Sequence, residues 1–295
     1  MTVAPAKRAR KSGGGGRAIV RRVLVLDGPM GTELARRGVA LPAPAWTARA
    51  LEVAPDVVAA VHRDYARAGA TVHTACTFRT RARSVGPAWE TLARRAVAIA
   101  RASVPAHHRI AGSVAPVEDC YRPDLSPGAA SRAEHRELAR VLADCRVDLL
   151  LCETFPSPVE AVVAVEEAVR TGLETWVALT AGPEGDLLAP SALADAARAC
   201  ASAGARAVLV NCVAASRTLP YVERLADVGV PFGAYANAGG ADAGIGWNAD
   251  AGEGARAYAA FAREWIEAGA TIVGGCCGTG AAHIAAVAHA VEEVG

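Results

Sequence analysis

The sequence predicts an α/β protein that folds as a single-domain (β/α)8 barrel, also called a TIM barrel. Apolar, β-branched runs recur along the chain, and Ala-, Arg- and Glu-rich segments with helical periodicity lie between them. Strands that alternate with helices indicate a parallel sheet. Because eight such units fit into a domain of roughly 250 residues, we favour a closed barrel over an open doubly wound sheet, which remains the alternative.

The predicted strands are nearly continuous apolar runs, which is typical of strands buried on both faces. They cover residues 23–28, 71–78, 109–114, 147–154, 175–181, 207–213, 231–237 and 271–277. The predicted helices between them cover residues 55–68, 89–102, 133–144, 158–170, 191–203 and 255–268.

Three predicted helix-to-strand junctions share one pattern, a glycine between two alanines, at Gly69, Gly204 and Gly269. Glycine adopts the left-handed conformation that ends many helices, so each strand is expected to start directly afterwards. Two segments, 38–55 and 115–131, are longer than simple loops and contain prolines. We expect them to be ordered excursions over one face of the barrel.

Composition and charge narrow the class of protein. The chain has 295 residues, of which 52% are hydrophobic and 21% charged, as in globular proteins. Its 31 basic and 30 acidic residues give a net charge of +1, which argues against nucleic acid or an anionic membrane as partner. Apolar runs fall short of the roughly 18–20 residues of a membrane span. We predict a disordered basic, Gly-rich tail over residues 1–20, the barrel over 21–295 and, without a signal-peptide core, a cytoplasmic location.

Three cysteines stand at the ends of predicted strands six and eight, Cys212 and the adjacent pair Cys276 and Cys277. Active sites of (β/α)8 barrels lie at the carboxyl ends of the strands, so these thiols are expected to meet there. Three thiolates suit a catalytic Zn²⁺ ion with one open position, at which a substrate thiol would be deprotonated. The alternative is that they are buried core cysteines, since cysteine is among the most buried residue types.

Polar residues also stand at the predicted strand ends. A free amino acid carries an ammonium group, for which a carboxylate at this rim is the natural partner. Asp27 has the alternative of capping a helix, Glu153 of pairing with an arginine, and the asparagines of satisfying loop backbone groups. The predicted substrate-binding residues are Asp27, Gly28, Thr77, Glu153, Asn211 and Asn237.

Several motifs resemble those of homocysteine S-methyltransferases, in the same order over residues 23–291. They read LDGPMGTEL at 26–34, TACTF at 74–78, ETFPS at 153–157, VNC at 210–212, YAN at 235–237 and GGCCGT at 274–279. The resemblance implies a barrel with zinc held by Cys212, Cys276 and Cys277, and methyl transfer to the homocysteine thiol to give methionine. Asp27 and Glu153 match acidic positions that the family uses around the homocysteine amino group.

The sequence departs from the family pattern at residues 74–78, which lack an asparagine, at Ala236 and Ala238 beside Asn237, and at residues 114–121. These departures leave the cysteines unchanged, and they leave the methyl donor and the exact acceptor open. A single barrel resembles the small family members that use S-methylmethionine or S-adenosylmethionine, and we rank S-methylmethionine first.

Three other functions stay open at this point. The chain could be a non-catalytic zinc-binding or thiol-sensing barrel, or an enzyme that methylates another thiol or a selenol. A phosphate site at the glycines of residues 274–280 is a further alternative. The cysteine at position 212 argues against it, because a phosphate site has no use for a thiolate.

Overall fold

The computed structural model describes residues 22–239 and 251–294. The tail predicted for residues 1–20 lies outside this part of the chain. The eight strands, numbered in chain order, are β1 (Leu24–Val25), β2 (Val72–Thr74), β3 (Arg109–Val114), β4 (Leu149–Phe155), β5 (Thr175–Leu179), β6 (Ala207–Ala214), β7 (Phe232–Asn237) and β8 (Ile272–Gly275).

All strand pairs are parallel, and the strand order is β1-β8-β7-β6-β5-β4-β3-β2. An isolated parallel bridge between Leu26 and Val72 closes the circle from β1 to β2. The predicted (β/α)8 barrel is therefore confirmed, and the open doubly wound alternative is wrong.

The junction between β1 and β2 is the shortest in the barrel. Two backbone hydrogen bonds join the strands, from the Thr71 N–H to the Val25 carbonyl at 2.9 Å and from the Asp27 N–H to the Val72 carbonyl at 3.0 Å. The next hydrogen bond runs from the Thr74 N–H to Oδ2 of the Asp27 side chain, at 2.9 Å. A carboxylate thus stands where a strand would otherwise offer a carbonyl oxygen.

Helices surround the barrel. All six predicted helices are present in the described part of the chain, together with a final helix from Ala281 to Val294. This part also contains four further helices, all of seven residues or fewer, that were not predicted. The helices are α1 (Met30–Arg36), α2 (Thr47–Val53), α3 (Pro55–Arg67), α4 (Ala82–Val85), α5 (Trp89–Ser103), α6 (Arg132–Asp144), α7 (Pro158–Val169), α8 (Pro190–Ser202), α9 (Leu219–Leu225), α10 (Ala251–Glu267) and α11 (Ala281–Val294).

The hydrophobic core forms two layers. Inside the barrel pack side chains that include Leu26, Leu149 and Trp176. A larger layer of mostly aliphatic side chains fills the space between the strands and the helices. Alternate residues of each strand serve the two layers, which explains why the strands read as continuous apolar runs. Within the described part of the chain, no helix is both long and apolar enough to cross a membrane.

The three glycine junctions have the predicted backbone conformation, with φ of 98° at Gly69, 112° at Gly204 and 101° at Gly269. At Gly69, an added Cβ would lie 2.6 Å from the Cβ of Ala288 in α11. Glycine is therefore required there both by its backbone angle and by the close helix.

We expect Gly69→Ala to lower the free energy of unfolding by about 2–5 kcal/mol. The left-handed backbone contributes ~1–2 kcal/mol and the overlap with Ala288 ~1–3 kcal/mol. Gly229 has a φ of 89° and no atom within 4 Å of the corresponding Cβ position, so Gly229→Ala isolates the backbone cost. Urea denaturation of both variants measures the difference, and equal losses would contradict the role of the α11 contact.

Candidate active site

A cavity of 530 Å³ opens at the carboxyl ends of the strands. Its inner wall combines strand-end residues. Its outer wall is built from the two excursions over this face of the barrel, at 38–55 and 115–131, and from Phe78 and Arg79, which follow β2. The first excursion contains the unpredicted helix α2, and both are ordered, as expected. The inner wall includes Asp27, Gly28, Thr74, Glu153, Thr154, Cys212, Tyr235, Gly275, Cys276 and Cys277.

The three cysteines meet in this cavity. The Sγ atoms of Cys212, Cys276 and Cys277 all lie within 4.8 Å of one another. The Cα atoms of Cys212 and Cys276 are 5.7 Å apart, and their sulfur atoms are in bonding contact, as a disulfide. Three sulfur donors that converge at the wall of a cavity fit the ligand set of a catalytic zinc ion.

The backbone at Cys212 explains how its sulfur reaches the cavity. The β6–β7 pairing is irregular between Asn211 and Ala214, and Cys212 has a φ of 53°, which is unusual for a residue with a side chain. Thr154, at a similar irregularity in β4, has a φ of 63°. Such local strain is common at functional sites, where it directs side chains away from the regular strand pattern.

Asn211 lies between these two strained residues. Its Nδ2 is 2.7 Å from Oγ1 of Thr154 and 3.6 Å from Sγ of Cys212, to both of which it donates. The Asn237 Nδ2 donates to the carbonyl of Cys212 at 3.1 Å. Both asparagines are buried, and neither belongs to the cavity lining in the described part of the chain. The two asparagines therefore hold the Sγ atom and the backbone carbonyl of Cys212 in place.

Glu153 is buried at the cavity wall, with 9% of its surface exposed. Its Oε1 accepts a short hydrogen bond from the Ser113 hydroxyl, and its Oε2 accepts one from the Tyr235 hydroxyl at 3.1 Å. Burial raises the pKa of this carboxyl group, and the two hydroxyl donors oppose that rise. Among the described residues it has no arginine partner, so the alternative of a structural ion pair is wrong.

Asp27 faces the cavity from the end of β1. Its burial raises the pKa of its carboxyl group well above the usual value, and the hydrogen bond from the Thr74 N–H opposes the rise. The alternative of a helix cap is wrong, because α1 begins at Met30 with Pro29 at its N-cap. An ammonium group placed near Asp27 and Glu153 would compensate for the burial of both carboxylates.

Gly28 and Thr77 occupy different positions relative to the cavity. Gly28 lines it, and its lack of a side chain leaves room for the ring of Tyr65, 2.7 Å from where a Cβ would lie. Thr77 lies outside the described lining. Its hydroxyl donates to the Ser113 carbonyl and accepts from the Ser113 N–H, both at 2.9 Å. The geometry therefore gives Thr77 a structural role and does not support it as a substrate contact.

The outer wall was not predicted as part of a site. The rings of Trp46 and Phe78 meet edge to face at 5.8 Å, and the Arg79 guanidinium lies 5.2 Å from the centre of the Phe78 ring. Tyr121 and Asp119 complete this part of the lining. An aromatic and acidic wall is suited to a cationic ligand. These residues are on loops, and the sequence gives no periodic signal for them.

A second group of potential ligands adjoins the cavity at Asp27. The ligand atoms of Asp27, His62 and His73 lie within 4.8 Å of one another, and all three residues are buried. Desolvation lowers the pKa of His62 to about 4 and of His73 to about 3. Neither histidine is among the site residues that the sequence predicts.

Comparison with known proteins agrees with this arrangement. The family model for homocysteine S-methyltransferase matches residues 24–291. The chain belongs to the homocysteine S-methyltransferase family. A homocysteine S-methyltransferase of Escherichia coli is 30% identical, with 90% of this chain and 94% of the relative covered.

Two further relatives extend the comparison. A selenocysteine methyltransferase of Astragalus bisulcatus is 27% identical over 88% of this chain and 89% of its own length. The metallated crystal form of the homocysteine methyltransferase MmuM from Escherichia coli superposes with a TM-score of 0.76 at 28% identity, covering 92% of this chain and 98% of that one. Family membership and fold are therefore established by sequence and by structure.

Proposed function

We propose that this protein transfers a methyl group from a small sulfonium donor to the thiol of L-homocysteine and so forms methionine, with zinc as its cofactor. The observation that carries the proposal is the convergence of three cysteine sulfur atoms in a cavity that also contains two buried carboxylates. The cytoplasm, where thiols stay reduced, is the compartment that this chemistry needs.

Cys212, Cys276 and Cys277 would hold the zinc ion, all three as thiolates, once the Cys212–Cys276 disulfide is reduced by a cellular thiol. When bound, zinc supplies a Lewis acid that keeps a substrate thiol deprotonated at neutral pH. The cavity gives the substrate thiol access to the three sulfur positions, which leaves the fourth ligand place for the substrate. Asn211 and Asn237 fix the loop of Cys212 through its Sγ and its carbonyl, and act as positioning residues.

Glu153 and Asp27 would bind the ammonium group of homocysteine. The Ser113 and Tyr235 hydroxyls hold the Glu153 carboxylate in place, so its orientation does not depend on the substrate. Gly28 lines the same part of the cavity, where its backbone would lie beside the bound amino acid. The pair of carboxylates therefore positions the thiol end of homocysteine toward the cysteines.

In the transfer itself, a bond forms between the homocysteine sulfur and the methyl carbon, and the bond from that carbon to the donor sulfur breaks. The bonding electron pair passes to the donor sulfur, which becomes a neutral thioether, and the homocysteine thiol proton is released to solvent. Because the charges of thiolate and sulfonium cancel in the transition state, a buried, water-poor cavity favours the step.

The outer wall fits a sulfonium donor that is itself an amino acid. Trp46, Phe78 and Tyr121 offer aromatic faces to a cationic sulfur, and Asp119 adds a negative charge. Arg79, which stacks on Phe78, can bind the donor carboxylate. This combination suits S-methylmethionine, which we rank before S-adenosylmethionine.

A parallel assay with four methyl donors at equal concentration tests this function. We expect methionine from homocysteine with S-methylmethionine, slower formation with S-adenosylmethionine, and none with betaine or a methylfolate. Faster turnover with betaine or methylfolate would overturn the donor assignment. No turnover with any donor would favour the non-catalytic zinc-binding or thiol-sensing alternative.

A selenol is the second candidate acceptor, because one relative is named a selenocysteine methyltransferase. A selenol is more acidic than a thiol and would occupy the same place. The same assay with selenocysteine in place of homocysteine compares the two acceptors directly, and the ratio of their kcat/KM values decides between them.

A further inference from the structure

Asp27, His62 and His73 come from three different elements and meet between the barrel wall and the helical layer. Asp27 follows β1, His73 is in the middle of β2, and His62 is on α3. Their potential ligand atoms lie within 4.8 Å of one another. Among the described hydrogen bonds, none joins one of the three to another. The group is therefore spaced to share an ion and not to bond internally.

Three of the four imidazole nitrogens of this group lack a hydrogen-bond partner among the described residues. Both ring nitrogens of His62 and Nδ1 of His73 are buried and accept or donate no hydrogen bond within the described residues. His62 and His73 each have a relative exposure of 0%. Buried polar atoms are almost always satisfied, because leaving one unpaired costs free energy. Three unpaired nitrogens beside a buried carboxylate are the surroundings that a bound cation would satisfy.

A neighbouring histidine orients His73. Its Nε2 lies 3.0 Å from Nδ1 of His108, and the two rings are stacked with centres 5.2 Å apart. In the tautomer in which His73 donates through Nε2, its Nδ1 carries a lone pair that is available to an ion. Histidines that bind metals characteristically donate their other ring N–H to a second residue in this way.

We propose that Asp27, His62 and His73 form a second metal site, which binds a first-row divalent transition-metal ion through two imidazole nitrogens and one carboxylate oxygen. Magnesium and calcium prefer sets made of oxygen atoms, whereas two imidazoles select transition metals. The site uses none of the three cysteines. Asp27 also lines the cavity, which provides the ion with a path of entry.

The site is compatible with substrate binding at Asp27. An ionised carboxylate has about four lone-pair positions, and the Thr74 N–H uses one of them. An ion on the histidine side leaves the cavity side of the carboxylate available. The ion would keep Asp27 ionised despite its burial and would connect α3 to both β1 and β2.

Cobalt titration distinguishes the two metal sites. Co²⁺ bound by thiolates gives sulfur-to-metal charge-transfer absorption, whereas Co²⁺ bound by nitrogen and oxygen does not. We expect the full-length protein to bind two equivalents of Co²⁺. The triple variant Cys212→Ser, Cys276→Ser, Cys277→Ser should keep one equivalent without charge-transfer absorption, and its Tm should rise when the ion is added.

Variants of the histidines complete the test. In the otherwise unchanged chain, His62→Gln should lose one equivalent and retain the charge-transfer absorption. His283→Gln is the matched control, because the buried His283 also has an unpaired Nε2 but belongs to no described ligand cluster, and it should keep both equivalents. A single equivalent that His62→Gln leaves unchanged would overturn the proposal, whether or not the triple variant folds.

Discussion

Replacement of Cys277 by alanine is expected to abolish methyl transfer while the barrel stays folded. The change removes one of three convergent sulfur atoms, and with it the proposed zinc site. A catalytic metal contributes several kcal/mol, so activity should fall by at least about a thousandfold. Cys277 is partly exposed at the cavity wall, so the free energy of unfolding should change by less than about 2 kcal/mol.

Methionine formation, elemental zinc analysis and thermal unfolding measure these three effects in one preparation. Cys145→Ala is a suitable control, because Cys145 is also partly exposed but follows α6, outside the described cavity lining. It should retain zinc and activity. An active Cys277→Ala enzyme would show that this sulfur is not a required ligand, and an unfolded one would identify Cys277 as a core residue.

Glu153→Gln should weaken homocysteine binding by about tenfold to a hundredfold, since a hydrogen bond to a charged group contributes roughly 1.5–3 kcal/mol. Glutamine keeps the shape of the side chain and one acceptor for the Ser113 or Tyr235 hydroxyl, but removes the charge that would face the ammonium group. Calorimetric titration of homocysteine into the zinc-loaded protein gives the Kd, and zinc content should not change.

Tyr235→Phe provides the matched comparison, because it removes a hydroxyl that holds Glu153 and leaves the carboxylate charge in place. Its effect on the homocysteine Kd should be smaller than that of Glu153→Gln. If Glu153→Gln lost zinc while homocysteine affinity stayed the same, Glu153 would support the metal and not the substrate.

The strands could be predicted because burial on both faces produces continuous apolar runs, a signal that needs no tertiary information. The prediction for β2 was too long, since the ladder ends at Thr74 and not at residue 78. There, the Thr77 N–H donates to the carbonyl of Ala75, which turns the chain, and the Thr77 hydroxyl joins β3. Threonine is a good strand former, so its sequence context does not reveal the turn.

The inner wall of the site was predictable because barrel geometry brings the strand ends together, whatever the loops do. The outer wall depends on the course of two long loops, and the positions of Trp46 and Tyr121 could not be read from their neighbours in sequence. The group of Asp27, His62 and His73 also escaped prediction. His62 lies on the buried face of α3, and the periodicity of a helix does not predict which strand residue each of its side chains will contact.

The join between β1 and β2 makes the cavity and the integrity of the barrel interdependent. It rests on two backbone hydrogen bonds, from Thr71 to Val25 and from Asp27 to Val72, and on the bond from Thr74 to the Asp27 carboxylate. Separation of β1 from β2 would break the bond to the Asp27 carboxylate, which also faces the cavity. A ligand that binds Asp27 only while the strands are paired therefore disfavours their separation by linkage. Occupancy of the cavity thus stabilises the barrel at the junction with the fewest hydrogen bonds.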